Sequence, residues 1–138
     1  MTRHRTLGDE GSVLPLTVGY ALLAVVLVLV AADAISLALA HKRADTVADA
    51  AALAASDGFV LDVDGGGAHA RLDPATLAEL AAEVVAASGE VTLIAADTPD
   101  GLSARVTVAT IWRPPISSLF VPDGVRLESS ATSRVVLR

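Results

Sequence analysis

The run VLPLTVGYALLAVVLVLVAA occupies residues 13–32 and contains no charged side chain. At about 1.5 Å of rise per residue, a helix of about 20 residues is about 30 Å long, the thickness of a bilayer's hydrocarbon core. A buried core helix of that kind needs a large domain around it, and a chain of 138 residues is too small to enclose one. The other reading is a cleaved signal peptide, with Arg3 and Arg5 as its basic start and Ala38-Leu39-Ala40 as its cleavage site. An ordinary signal peptide has an apolar centre of only about 7–15 residues. A retained membrane anchor is therefore the favoured reading, and Asp33 falls just after it, at the outer headgroup level.

The flanking charges do not decide the orientation. Arg3 and Arg5 stand on one side, Lys42 and Arg43 on the other, and the positive-inside rule counts these as a tie. Lys42 and Arg43 open a long polar domain, and long domains translocate with little regard to charge. The expectation is a cytoplasmic tail at residues 1–12, a transmembrane helix at 13–40 and an external domain at 41–138.

The rest of the composition narrows the function. Aromatic residues are 3% and the formal net charge is −6, so both the stacking platform and the basic face of a nucleic-acid binder are missing. With no cysteine there is no disulfide framework, thiolate metal site or cysteine nucleophile.

Helical signals continue beyond the bilayer. Residues 33–56 contain neither Gly nor Pro and are crowded with Ala and Leu, the strongest helix formers. One helix over about residues 14–57 is expected, with Gly58 as its left-handed cap. Val47, Ala50, Ala51 and Ala54 share a small-residue face at i, i+3, i+4 and i+7, suited to close approach by a sheet or by a partner helix. Residues 59–63 read as a short strand and Gly65-Gly66-Gly67 as a flexible break. A second helix is expected over residues 74–88, with Asp73 as N-cap, Pro74 at its first position and Gly89 just past its end. Its stripe is Leu77, Leu80, Ala81, Val84 and Ser88.

The remainder alternates as β structure. Val91, Leu93 and Ala95 share one face of the first strand, and Ala104, Val106, Val108 and Trp112 one face of the second. Val125, Leu127, Ala131, Val135 and Leu137 are the inward residues of the last. Thr98-Pro99-Asp100-Gly101 and Pro122-Asp123-Gly124 are turns. The fold class is thus α+β and pilin-like: a long helix, a short helix and a small antiparallel sheet of three or four strands, with both helices on one face.

No catalytic constellation emerges. There is no nucleophile elbow and no phosphate loop, and His4, His41 and His69 lack metal-ligand spacing. Asp62, Asp64, Gly67 and Asp73 fall near calcium-loop spacing, but Gly66 occupies a ligand position and Asp73 stands where a bidentate Glu belongs. No cofactor and no metal are expected.

These residues carry a resemblance. Gly11-Ser12-Val13-Leu14-Pro15-Leu16, the long apolar helix, Lys42-Arg43-Ala44-Asp45 and the run ADAAALAA at residues 48–55 resemble the N-terminal part of TadE/TadG-like proteins of tight-adherence (Flp) pilus assembly, closest to the small actinobacterial members. Residues 109–122 (ATIWRPPISSLFVP) resemble their β-rich ends. The resemblance implies a single-pass membrane component of pilus assembly or related secretion machinery, non-enzymatic. Its implied partners are membrane lipid and other membrane proteins of that machinery, with a homo-oligomer left open. Prepilin-like members are processed after a glycine and carry a glutamate five residues later. From Gly11 that position is Leu16, which favours the permanently anchored, TadG-like type. The alternative function is a secreted ligand-binding module released after Ala40.

Overall fold

The computed structural model describes residues 10–134. Arg3, His4, Arg5, Val135 and Leu137, on which expectations were placed, lie outside the described residues, as does most of the tail at 1–12. The long helix α1 (Glu10–Ser56) is unbroken over 47 residues, with Pro15 within its first two turns. Its first half is bare: the large apolar side chains from Val13 to Val30 are all exposed. From Asp33 onward one side of the helix turns against the rest of the chain. Asp33, Ser36, Leu37 and Ala40 are half-buried, and Ala44, Ala48, Ala51, Ala52 and Ala55 are fully buried.

After α1, β1 (Phe59–Asp64) and β2 (Gly67–Leu72) form an antiparallel hairpin, with Asp64 opposite Gly67. β2 corrects the expectation of a flexible break. Gly65 and Gly66 are the two-residue loop of the hairpin, and Gly67 begins its return strand at φ 139°. Gly58 also departs from expectation, since it does not adopt the left-handed φ of a cap. It is small because a Cβ there would lie 3.2 Å from the amide nitrogen of Leu77 and 3.4 Å from the Leu80 side chain. The glycine lets the end of α1 meet the second helix.

That helix, α2 (Pro74–Ser88), is punctuated as expected. The Asp73 carboxylate accepts from the Thr76 amide, Pro74 opens the first turn and Gly89 ends the helix at φ 67°. Leu77, Ala81 and Val85 are its buried residues. Val85, which was not on the expected stripe, takes the inner position beside half-buried Val84.

β3 (Thr92–Asp97), β4 (Ser103–Trp112) and β5 (Val125–Arg134) form an antiparallel sheet in the order β3-β4-β5. α1 packs on β4, β5 and α2, and α2 on β3. The core therefore lies between the alanine face of α1, the Leu77/Ala81/Val85 face of α2, and Ala104, Val106 and Val108 of β4. Leu72 reaches into it from the hairpin.

Two departures within the sheet have clear causes. In β3 a bulge between Leu93 and Ala95 shifts the alternation. Leu93 faces the core opposite Val108, but Ala95 lies opposite outward-facing Thr107 and is exposed, and Ala96 takes the inner place opposite Val106. In β5 the expected inward residue Val125 is exposed, and the inner face carries Leu127, Ser129, Ala131 and Ser133.

Candidate functional site

The feature that organises this molecule is the seam along which the domain is laid on α1. Alanine supplies its apolar part. With only a methyl group on each turn, the helix backbone comes close to β4 and β5, and the van der Waals contact is made with little side-chain ordering. The polar part is a series of hydrogen bonds spaced along the helix. The Ser56 and Ser133 hydroxyls are paired at 3.3 Å. The Ser129 hydroxyl donates to the Asp45 carboxylate. The indole Nε1 of Trp112 donates to the Ser36 hydroxyl at 3.1 Å. Next to the bare half of α1, Asp33 accepts from the amides of Ile116 and Ser117 at 3.1 and 3.2 Å and from the Ser117 hydroxyl at 2.6 Å.

These contacts give the domain a direction. β4 runs toward the bare half of α1, ending at Trp112 beside Ser36. β5 runs back along the helix, meeting Asp45 through Ser129 and Ser56 through Ser133. The β4–β5 connection is therefore the end of the domain nearest the bare half of α1. It holds a 3₁₀ turn at Ser117–Leu119, closed by bonds from the amides of Phe120 and Val121 to the Ser117 carbonyl. Gly124 returns the chain into β5 at φ 73°, where a Cβ would lie 2.6 Å from the Trp112 carbonyl oxygen. Only glycine fits there.

The opposite end carries the β3–β4 turn and the hairpin. Asp100 accepts from the Leu102 amide, the Ser103 hydroxyl and the Ser103 amide, and Arg134 approaches it at 3.9 Å. The Leu102 bond first, with help from Ser103 and Arg134, holds the Asp100 carboxyl below its ordinary range. Asp73 is lowered in the same way by the amide and then the hydroxyl of Thr76. Arg105 is raised by its two-point hydrogen bond to Asp97, at 3.0 and 3.1 Å. In the hairpin, Phe59, Leu61 and Val63 lie opposite Leu72, Ala70 and Ala68, which makes one face wholly apolar. Leu72 is buried, but Leu61 and Val63 are open to solvent.

The residues singled out from the sequence fall as follows. Ala51 is in the core, Val47 and Ala54 are half-buried at its margin, and Ala50 is exposed. The buried stripe runs through Ala44, Ala48, Ala52 and Ala55 as well, displaced by one position from the expected face. Asp33 is at the end of the apolar run, and its carboxylate ties down the β4–β5 connection. Nothing local in the sequence announces that role, because its partners are 83 and 84 residues away. His41 stands 3.8 Å from Asp45 on the exposed surface, and His69 lies opposite Asp62 in the hairpin. Asp62 and Asp64 are on β1, while Asp73 is engaged as the α2 cap, so the calcium-like spacing does not form a loop. Among the described residues no group of three or more His, Asp or Glu side chains is placed to hold a metal ion.

The fold can be set beside known proteins at this point. No curated protein and no solved structure matches the chain. A family model described as "Putative Flp pilus-assembly TadE/G-like" matches residues 11–72. That segment is α1 with the hairpin that follows it, while α2, the three-stranded sheet and the resemblance noted at residues 109–122 lie outside the match. α1 is long and apolar enough to cross a membrane, and its most apolar stretch is not covered by any other of the described residues. Over residues 11–72 this protein is similar to TadE/G-like Flp pilus-assembly proteins.

Proposed function

We propose that the protein is a permanently anchored, single-pass, non-enzymatic component of Flp-type pilus assembly or a related secretion machine. Its N-terminus is cytoplasmic and its α+β domain outside. The observation that carries this reading is the division of α1. One unbroken helix is bare and apolar before Asp33 and clad by its own domain after it. Such a helix holds the domain at a set height above the bilayer without a linker. Partners then have two kinds of surface to meet. In the membrane, the bare half of α1 is available to another helix. Outside, the open part of the Val47/Ala50/Ala51/Ala54 face is what remains for close packing, chiefly Ala50, because Ala51 is used by the core.

Release as a secreted module after Ala40 fits the seam poorly. Cleavage there would remove Asp33 and Ser36, and with them the bonds that hold the β4–β5 connection and Trp112. The test is fractionation of the full-length chain in a cell that makes it. It should pellet with membranes, resist carbonate extraction and be digested by protease added outside intact cells. A mature product in the medium beginning at His41 would overturn the reading.

A further inference from the structure

The β4–β5 connection ends in an apolar tip that none of the described residues covers. Residues 116–121 read Ile-Ser-Ser-Leu-Phe-Val and carry no charge. Leu119 is 90% exposed and Phe120 87%, the highest values among the large apolar side chains of the described residues. They exceed those of the bare half of α1 itself, where Leu14 at 72% is the most open. The tip is not a loose loop. The 3₁₀ turn is closed on the Ser117 carbonyl, and Ser117 is bonded to the Asp33 carboxylate by both its amide and its hydroxyl. Asp33 directly follows the uncharged run at residues 13–32. Wherever that run ends in the bilayer, Leu119 and Phe120 are held within a few residues of the same depth.

We propose that the Leu119–Phe120 tip is a second membrane contact, inserted into the outer boundary of the bilayer beside α1, and that Asp33 is the positioning residue that sets its depth. This inference rests on the anchored reading given above. Three observations commit the tip to lipid rather than to a protein partner. The tip is continuous with the bare half of the anchor through Asp33. Trp112, an aromatic residue of the kind enriched at the membrane boundary, stands one turn beyond it against Ser36. An open groove lined by Ala32, Ile35, Leu39, Arg43 and Trp112 runs from that level along α1. In water two adjacent large side chains would stand exposed on a tied turn. At the bilayer boundary their ring and methyl groups are transferred out of water while the Ser117 and Asp33 polar groups stay paired.

The experiment uses the full chain in phosphatidylcholine/phosphatidylglycerol vesicles. Because the protein has no cysteine, single substitutions Leu119→Cys and Phe120→Cys can each carry an environment-sensitive NBD label. Leu22→Cys serves as the membrane reference and Glu83→Cys, on exposed α2, as the aqueous one. Quenching by doxyl-labelled lipid is compared with quenching by iodide. Labels at 119 and 120 are expected to be quenched severalfold more by a shallow doxyl lipid than by iodide, with Leu22→Cys responding to a deep doxyl lipid. Adding Asp33→Ala should shift the labels at 119 and 120 toward iodide while Leu22→Cys stays unchanged. If 119 and 120 behave like Glu83→Cys while Leu22→Cys is lipid-quenched, the tip faces water or a partner protein and the inference fails, with the anchor intact. If Leu22→Cys is itself reached by iodide, the anchored reading fails and the inference with it.

Discussion

The two halves of α1 share one helical geometry and both carry apolar residues, yet they use different ones. Before Asp33 the side chains are mostly Leu and Val, bulky and exposed. After it the fully buried positions are occupied by Ala at 44, 48, 51, 52 and 55. Charge separates the halves, since residues 13–32 carry none while Asp33, Lys42, Arg43, Asp45 and Asp49 follow, and the size of the apolar side chains separates them a second time. A helix in lipid gains from large side chains all round, because acyl chains fit any outline. A helix laid on a sheet gains from small ones, because the sheet's own Val106 and Val108 already fill the space between the layers.

The sharpest way to break that comparison is to make the same deletion in both halves of the fold. Leu77→Ala removes a fully buried side chain from the centre of the core and should cost about 2–5 kcal/mol of domain stability. Leu22→Ala, on the bare half of α1, should leave the domain's Tm unchanged in detergent. Equal losses from the two would mean that the membrane half is part of the cooperative unit.

The next effect concerns size on the clad half. Ala51→Leu overfills a closed site and should destabilise by about 1–3 kcal/mol. Ala50→Leu, one residue away and exposed, should stay within about 0.5 kcal/mol. Denaturant titration of the two variants locates the packed face to a single position, and a reversed order would displace the seam.

A smaller effect is expected where the halves meet. Asp33→Ala removes the acceptor for three hydrogen bonds from Ile116 and Ser117. Amide exchange at those two residues should quicken while Ala104 and Val106 keep their protection. A loss of protection throughout β4 would make Asp33 a core element of the fold and not a local tether.

The smallest effect depends on pH and belongs to the clad half alone. Asp73 and Asp100 titrate below the ordinary value of 3.8 in the folded chain. Their contribution to stability is therefore complete above about pH 4 and is lost as the pH falls through the lower folded values. Asp100→Asn should flatten the acid limb of the Tm–pH curve and lower the plateau at neutral pH slightly.

How far the sequence could be read follows the range of the interactions. Both helices, the Asp73 cap, the Gly89 stop and the Asp100-Gly101 turn are specified within a few residues of one another, and they were legible. β2 was not, because Gly67-Ala68-His69-Ala70 has little intrinsic preference for a strand and becomes one by pairing with β1. The β3 bulge changed which alanine points inward, since alternation presumes an unbroken ladder. Ser129 and Ser133 share the alternation of Leu127 and Ala131 and face α1, but their partners Asp45 and Ser56 are 84 and 77 residues away and were not legible. The seam was visible as a run of small residues, but its position was read one step away, at Ala50 instead of Ala48 and Ala52. An alanine-rich helix has small residues on several faces, and only the partner surface decides which is used.

The unbroken course of α1 makes it a lever. Between Ala32 and Ser56 the helix has 24 steps, an arm of about 36 Å at about 1.5 Å per step. A change of about 20° in tilt, the ordinary inclination of a membrane helix, would carry the far end and its hairpin sideways by about 12 Å. Rotation of the span about its own axis would turn the domain through the same angle, since no joint intervenes to absorb the torque. On the anchored reading proposed above, a neighbour that grips the bare half of α1 would aim the apolar face of Phe59, Leu61 and Val63 without touching it.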